Sequence, residues 1–270
     1  MTGHSVHLGV YAQDDAAQLA AALDSLLGQS APSDDIVIAV DGPIDGALRD
    51  TVTRYADAHP EIRPIYLPAN IGQGLAAAET VPQCRYDIVF KMDADDVCMP
   101  DRMARQLAFL DAHPDVAILS AHLAEFDGDV DNVVSHRRVP LTHEQIVVRA
   151  RRWNPLNHPA VVFRKSAVQA VGGYRHVPRF EDYDLWVRML MAGYRAANID
   201  DALVRYRVSQ ENLDRRRSWA ATRSAWTFHL WKHRVGFAGL RDTAAALVVL
   251  TGAALTPGPI YRWVYRRSRT

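Results

Sequence analysis

The first hundred residues alternate between apolar segments of strand length and amphipathic segments of helical length. Strands are predicted at residues 6–11, 36–40, 63–67 and 88–92, and helices at residues 19–27, 47–58 and 75–80. The second strand, Ile36 to Val40, is a nearly continuous apolar run, which is typical of a parallel strand covered on both faces. Strands that alternate with helices in this way predict a doubly wound α/β sheet.

Three carboxylates follow the fourth predicted strand within four positions. Asp93, Asp95 and Asp96 come directly after the apolar run that begins at Ile88. Carboxylates held this close repel one another unless a cation or hydrogen-bond donors offset their charge. Oxygen ligands suit Mg²⁺ or Mn²⁺, which proteins often hold with one or two carboxylates and the phosphates of a substrate. The pattern therefore favours a site for a divalent cation and a diphosphate at a strand end.

Other interpretations of the three carboxylates fit less well. A calcium loop starting at Asp93 would need Gly at its sixth position and Glu at its twelfth, where this chain has Cys98 and Ala104. A phosphatase of the haloacid-dehalogenase type fits locally, but its motif normally opens the fold. An acidic cluster in front of a helix at residues 101–112, with Asp101 as its cap, stays open. The chain has neither Gly-x-Gly-x-x-Gly nor a phosphate-loop sequence, which disfavours dinucleotide binding and P-loop chemistry.

Ligands of a doubly wound sheet bind beyond the carboxyl ends of its strands. The Tyr11 region and Asp41 end two predicted strands, as Asp93 ends another, and all should face one crevice. Asp41 either forms a local Asx turn before Gly42 or accepts hydrogen bonds from a nucleobase or ribose.

Glu181 and Asp182 begin a predicted helix whose apolar face includes Leu185 and Trp186. They either complement the helix dipole or supply the general base of an inverting transfer, which takes a proton from an attacking hydroxyl. His158, between prolines, is either a turn residue or a metal ligand. The run Arg215, Arg216 and Arg217 either clamps phosphates or begins a solvated helix.

Charge is distributed unevenly along the 270 residues. Residues 1–214 carry 20 Lys and Arg against 30 Asp and Glu, whereas residues 215–270 carry 11 against one. A basic C-terminal segment predicts an anionic partner, such as phosphates or a membrane surface, or a basic face packed on the acidic body. Two cysteines, no secretory signal and no apolar stretch of membrane-spanning length predict a cytoplasmic protein that is peripheral to the membrane at most.

Six motifs in order resemble the family 2 glycosyltransferases of GT-A fold, and among them the galactosyltransferase-like enzymes of exopolysaccharide synthesis, of the amylovoran type. The resemblance covers about residues 5–210. Its motifs are the strand ending at Tyr11, Leu23 to Gln29, Val40-Asp41-Gly42, Asn70-Ile71-Gly72, Asp93 to Val97 with Pro100 to Met103, and Glu181 to Trp186. The fold implied is an α/β, Rossmann-like, mostly parallel sheet flanked by helices, with a helical basic C-terminal extension.

The resemblance implies a role for each matching position. Tyr11, Asp41 and Asn70 would lie at the nucleotide, and Asp93 at the ribose or the metal. Asp95 would hold Mn²⁺ or Mg²⁺ across the diphosphate. Asp182 would be the base, with Glu181 beside it. Arg215 to Arg217 would close over the diphosphate.

Two departures from the family pattern leave base selectivity open. The family often has Val-Asp-Asp-Gly-Ser, where this chain has Ala39-Val40-Asp41-Gly42-Pro43, so one of two paired aspartates is absent. The usual Tyr-Asn after the first strand is Tyr11-Ala12 in this chain.

We therefore expect residues 1–210 to form the nucleotide-sugar and acceptor domain and residues 211–270 a helical extension. The expected function is transfer of a sugar from a nucleoside diphosphate sugar, most simply a UDP-sugar, to a glycan or lipid-linked acceptor. A catalytically silent sugar-nucleotide-binding protein and a nucleotidyltransferase are the alternatives. No nucleic-acid partner is expected.

Overall fold

The computed structural model describes residues 3–208 and 218–256, which contain one nine-stranded sheet. The strands are β1 (His4–Val10), β2 (Ile36–Val40), β3 (Ile62–Tyr66), β4 (Ile88–Asp93), β5 (Val97–Cys98), β6 (Val116–Phe126), β7 (Val133–Arg137), β8 (Val162–Arg164) and β9 (Arg195–Arg207). Their order is β3-β2-β1-β4-β8-β6-β9-β5, with β7 beside β6. The first four in this order are parallel, as are β6 and β9, and β8 joins the two groups in antiparallel pairing.

Helices cover both faces of this sheet. They are α1 (Ala16–Leu27), α2 (Gly46–Ala58), α3 (Gln73–Thr80), α4 (Arg102–Ala112), α5 (His143–Ala150), α6 (Lys165–Ala170), α7 (Glu181–Met191), α8 (Trp219–Arg234) and α9 (Leu240–Leu255). One apolar core packs α1, α2 and α4 against the sheet, and a second packs α3, α5, α6 and α7 against the other face. Cores on both faces explain why β2 is apolar throughout, and they confirm the predicted α/β architecture.

One local expectation about a helix start needs correction. Asp101 precedes α4, but its side chain makes no capping hydrogen bond, and its backbone dihedrals of φ −103° and ψ 6° are not those of an extended cap. Beyond α4, the long strand β6 pairs with β9 along its whole length. The polar residues that follow β6 contain β7 and the capping box of Thr142 and Gln145 that opens α5.

The last two described helices pack on the body through aromatic and ionic contacts. The Phe228 ring of α8 lies 4.9 Å from that of Phe180 and 4.8 Å from that of Tyr183. Asp242 of α9 pairs with Arg152 at 2.6 Å. The predicted domain boundary at residues 210 and 211 lies outside the described residues, and it stays a prediction. No helix in the described ranges is long and apolar enough to cross a membrane.

Candidate active site

A cavity of about 670 Å³ lies beyond the carboxyl ends of β1, β2 and β4; we call it the strand-end cavity. Parallel strands bring these ends together, which is where α/β sheets bind ligands. Its acidic side chains are Asp14, Asp41, Asp93 and Asp95, its amide side chains are Gln13, Asn70 and Gln73, and Tyr11 lines it as well. Side chains from four separate stretches of sequence therefore meet in one crevice, and the strand-end positions of Tyr11, Asp41 and Asp93 predicted this convergence.

The floor of the strand-end cavity is made of small residues with one buried cation. Gly9 on β1 stands opposite Asp93 on β4 and Ala39 on β2 in the sheet register. Two residues deeper, the Lys91 amine lies 2.8 Å from Nδ1 of His7, whose Nε2 lies 2.7 Å from the Thr80 hydroxyl. The Lys91 charge lowers the pKa of Asp93, which opposes the rise caused by burial. The floor therefore leaves open space at Gly9 and carries one positive charge, that of Lys91.

Burial raises the pKa values of three carboxylates of the strand-end cavity, Asp14, Asp93 and Asp95. Burial, followed by repulsion from Asp93, raises the pKa of Asp95 to about 6. Burial raises the pKa of Asp14 to about 7, and the charges of Asp95 and Asp93 add to this rise. A cation among these three groups would relieve both effects, because it replaces lost hydration and offsets the repulsion.

Asp96 holds the turn that presents Asp95. It is fully buried, and its Oδ1 accepts a hydrogen bond from the backbone N–H of Arg207 at 2.9 Å. The Arg207 side chain also donates to the backbone carbonyl of Asp95 at 3.1 Å. Asp96 Oδ2 has no hydrogen-bond partner among the described residues. The end of β9 therefore fixes the acidic turn, and Asp96 serves the structure of the site.

Asp41 joins two strand ends. Its two carboxylate oxygens accept hydrogen bonds from the backbone N–H groups of Ile71, at 2.7 Å, and Gly72, at 2.9 Å. The Asn70 side chain donates to the Asp41 carbonyl at 3.2 Å. These bonds span about thirty positions of sequence, so the alternative of a local Asx turn is wrong. Since each carboxylate oxygen has two lone pairs, Asp41 can still accept from a ligand in the cavity.

Asp182 and Glu181 stand at the first turn of α7, in a second region beside the strand-end cavity. Asp182 lines a cavity of about 460 Å³ between α7, α8 and α9, which we call the Asp182 cavity. Asn154 donates to Asp182 Oδ2 at 2.7 Å and fixes the carboxylate. Burial raises the pKa of Asp182 to about 6 and that of Glu181 to about 7, and the charge of Asp93 contributes to both rises. The two predicted acidic motifs are thus electrostatic neighbours.

Arg179 connects the two cavities, since its side chain lines both. Its φ of 72° lies in the left-handed region, which residues with a side chain rarely adopt. Sequence reasoning missed Arg179, and it also missed Asp14 and Asn154. Asp14 precedes α1 and reads as a helix start, whereas neither Arg179 nor Asn154 carries a motif of its own.

Other predicted residues lie apart from the two cavities or outside the described ranges. His158 is partly buried with its Nε2 3.2 Å from the Tyr174 hydroxyl, and burial and the Lys91 charge hold its pKa well below the usual range. It lines neither cavity, and its role as a metal ligand stays a prediction. Arg215, Arg216 and Arg217 lie outside the described residues, so their predicted contact with the diphosphate stays a prediction as well.

The chemistry of the strand-end cavity fits a hard divalent cation held jointly with phosphate oxygens. Asp14, Asp93 and Asp95 supply carboxylate oxygens, and burial raises the pKa of each because it removes water from the charged form. Across residues 3–208 and 218–256, no three His, Cys, Asp or Glu side chains are placed to hold a metal ion by themselves. Mg²⁺ in particular is commonly bound by one or two carboxylates and completed by substrate phosphates.

The site depends on a close approach between α3 and α7 at Gly74. A Cβ atom at this position would lie 2.7 Å from the carbonyl oxygen of Arg175 and 2.9 Å from Cβ of Glu181. We expect Gly74→Ala to lower the free energy of unfolding by about 1–3 kcal/mol, because the neighbours are a backbone oxygen and the Cβ atom of the first residue of α7, so that relief of the clash requires a backbone shift. Urea unfolding measures the change.

Gly252, on α9, offers a matched control. A Cβ atom there meets no other atom within 4 Å, so Gly252→Ala should stabilise the helix by up to about 1 kcal/mol. A Gly74→Ala variant that unfolds at the same urea concentration as wild type would show that α3 and α7 separate freely.

Solved structures of similar fold identify the architecture. The mannosyltransferase PcManGT of Pyrobaculum calidifontis, solved with GDP-Man and Mn²⁺, superposes with a TM-score of 0.65 at 20% identity, covering 97% of this chain and 79% of that one. S. aureus TarS superposes with a TM-score of 0.60 at 17% identity, covering 80% of this chain and 38% of TarS. The fold is therefore GT-A, as the motif order predicted.

Sequence relatives identify the family. The model of glycosyl transferase family 2 matches residues 5–172. An uncharacterized glycosyltransferase of Haemophilus influenzae is 34% identical over 97% of each chain, and the amylovoran biosynthesis glycosyltransferase AmsE of Erwinia amylovora is 31% identical over 98% of each. The UDP-Gal:alpha-D-GlcNAc-diphosphoundecaprenol beta-1,3-galactosyltransferase of Escherichia coli is 29% identical over 97% of this chain and 96% of its own. The chain belongs to glycosyl transferase family 2, and the predicted resemblance is confirmed.

Proposed function

We propose that this protein is an inverting, metal-dependent glycosyltransferase of surface polysaccharide biosynthesis. The observation that carries the proposal is the placement of Asp182, fixed by Asn154, beside a cavity lined by Asp93 and Asp95. A transferase needs a base on the acceptor side and a centre that stabilises negative charge on the donor side. Family membership and relatives that build polysaccharides support the same function.

Asp182 accepts the proton of the acceptor hydroxyl while the oxygen of that hydroxyl forms the new bond to the anomeric carbon of the donor sugar. The bond from that carbon to the nucleoside diphosphate breaks on the opposite face, and the electron pair leaves with the diphosphate. When bound, Mn²⁺ or Mg²⁺ supplies positive charge to the departing phosphates. Asp95 and Asp93 are the residues that would hold the ion, and the Lys91 charge lowers the proton affinity of Asp93.

The donor we propose is a UDP-sugar. The E. coli relative is described as using UDP-Gal, and PcManGT was solved with GDP-Man, so the fold accommodates different bases. Tyr11, Asn70 and Asp41 would lie against the base, where the Asp41 oxygens have lone pairs available for a ring N–H. The acceptor is a hydroxyl of a glycan or of a lipid-linked sugar.

The basic C-terminal segment is proposed to lie at the cytoplasmic face of the membrane. On α8, Trp219, Trp226 and Leu230 are exposed together with Arg223, at helical spacing. Aromatic and basic residues together suit the interface of an anionic bilayer. Replacing Trp219, Arg223 and Trp226 with Ser and measuring vesicle binding tests this contact, and unchanged binding contradicts it. The part of the segment from residue 257 lies outside the described residues.

A screen of nucleotide sugars by thermal shift, with and without Mn²⁺, tests the proposed activity. A donor that binds only the folded chain raises its melting temperature. We expect a UDP-sugar to do so when Mn²⁺ is present, and the same sugar to be turned over with a glycan acceptor. Binding without turnover for every acceptor tried would support the silent sugar-nucleotide-binding protein instead.

Gly9 offers a direct test of where the nucleotide binds. A Cβ atom at Gly9 meets nothing within 4 Å, and Gly9 lines the strand-end cavity, so a larger side chain extends into its space. We expect Gly9→Leu to weaken UDP binding by about tenfold or more, which is about 1.4 kcal/mol. Calorimetry with UDP and Mn²⁺ measures the loss. Unchanged UDP affinity in a folded Gly9→Leu variant would place the nucleotide elsewhere.

A further inference from the structure

A third cavity, of about 910 Å³, lies on the outside of α5 and is unused by the proposed reaction. Four arginines line it: Arg138, Arg149, Arg151 and Arg152. Its acidic lining consists of Glu144 and Asp242. We call this surface the arginine groove. Its excess of cations distinguishes it from the acidic strand-end cavity.

Both acids of the arginine groove already have partners. Asp242 pairs with Arg152 at 2.6 Å, and Glu144 lies 3.8 Å from Arg195, which stands outside the groove. Arg138, Arg149 and Arg151 are exposed and make no ion pair with any residue in the described ranges. Three guanidinium groups with no acidic partner around one concave surface favour an anionic ligand with several oxygens.

The backbone at Arg149 and Arg151 is held in place by hydrogen bonds from α7 and α8. The buried Lys232 amine of α8 donates to the carbonyl oxygens of Ala150, at 3.2 Å, and Arg151, at 3.1 Å. It also lies 2.7 Å from the Tyr183 hydroxyl, which donates to the Ala150 carbonyl at 2.6 Å. The end of α5 is therefore fixed to the residue that follows Asp182 in α7, so the backbone of Arg149 and Arg151 has a fixed position relative to Asp182.

The arginine groove and the Asp182 cavity share part of their lining. Arg152 and Trp153 line both, and the next residue, Asn154, binds Asp182. Three residues of extended chain span at most about 11 Å, which is the upper limit on the distance between the Cα atoms of Arg151 and Asn154. One sugar ring and the diphosphate attached to it can bridge such a distance. A molecule with its hydroxyl at Asp182 can thus reach the arginines with its anionic end.

We propose that the arginine groove binds the diphosphate that joins the acceptor sugar to its carrier, while the sugar presents its hydroxyl to Asp182. This inference rests on the proposed function and specifies its acceptor. Arg138, Arg149 and Arg151 can contact both phosphate groups, since guanidinium binds phosphate through paired hydrogen bonds. A phosphate carried on the glycan itself has the same chemistry, but its position on the sugar differs.

Calorimetry with three synthetic probes tests the proposal on the full chain. The probes are α-GlcNAc diphosphate with a short alkyl chain, the neutral alkyl glycoside of GlcNAc, and the same glycoside bearing a 6-phosphate. We expect wild type to bind the diphosphate at least about tenfold more tightly than either other probe. The double variant Arg149→Gln/Arg151→Gln should lose this preference, and Arg138→Gln should weaken it.

Arg49→Gln/Arg54→Gln on α2 is the matched control, because it removes two exposed charges far from the groove. It should keep the preference. Equal binding of the three probes by wild type, tighter binding of the 6-phosphate, or a preference that survives Arg149→Gln/Arg151→Gln would overturn the inference. UDP binding with Mn²⁺ is measured on every variant. Its absence in wild type would count against the proposed function, whereas its survival in the arginine variants locates the loss on the acceptor side.

Discussion

We expect Asp182→Asn to lower the rate of sugar transfer by about two to four orders of magnitude, because this is the usual contribution of a general base. Asn has nearly the same shape but cannot take the proton of the acceptor hydroxyl. UDP and Mn²⁺ should bind as before, because Asp182 lines the Asp182 cavity and not the strand-end cavity. Steady-state kcat and a calorimetric titration with UDP measure the two effects separately.

Glu181→Gln is the control for a general loss of negative charge at the start of α7. Glu181 stands one residue away and shares the electrostatic surroundings of Asp182. We expect it to reduce kcat much less than Asp182→Asn does. An Asp182→Asn variant with full activity would assign the base to another residue, and a loss of UDP affinity would give Asp182 a structural role.

The pH dependence of transfer follows from the environment of Asp182. Burial raises the pKa of this carboxyl to about 6, and the hydrogen bond from Asn154 opposes the rise. A base works only when deprotonated, so kcat/KM should increase with pH through about 6. Asn154→Ala removes the donor that stabilises the charged form, so the increase should move to higher pH. A shift to lower pH would contradict this.

The sequence predicted the strand-end cavity well because strand ends converge by geometry. Asp41 and Asp93 each follow an apolar run, and a parallel sheet must bring such residues to one edge. Strand-end geometry does not predict that Asp182 lies near this edge, because Asp182 comes almost ninety residues after Asp93. Local pattern alone left it between a helix-capping residue and a base, and only the family resemblance favoured the base.

Residues that depend on tertiary contacts were not predictable from local pattern. Arg179 adopts a left-handed backbone at the junction of two cavities, and no motif marks it. Asn154 matters only because its amide reaches Asp182, 28 positions away. Asp101 was expected to cap α4 from residue type alone, yet its backbone is not extended and its side chain accepts no capping hydrogen bond from the backbone of α4. Each case turns on contacts between segments, which periodicity does not encode.

The second large effect concerns the divalent cation. With UDP present, Mn²⁺ at a hundredfold excess over its dissociation constant should stabilise the folded chain by about 2.7 kcal/mol. For a chain of this size the melting temperature should rise by about 5 °C or more. Asp95→Asn should remove most of this rise, because it takes away a charged oxygen ligand. Asp57→Asn, an exposed change on α2, should keep it.

The direction of the pH effect distinguishes this site from an ordinary ion-binding surface. The pKa values of Asp14, about 7, and Asp95, about 6, lie above those of the same groups in the unfolded chain, about 4. Between about pH 4 and pH 7, these two carboxyls keep protons in the folded chain that they have released in the unfolded chain. When no cation is bound, the free energy of unfolding therefore falls as the pH rises from about 4 to 7. Bound Mn²⁺ replaces those protons, and its stabilisation should therefore be larger at about pH 8 than at about pH 5. A Mn²⁺ effect that is equal at both values, or that persists in Asp95→Asn, would place the ion away from these carboxylates.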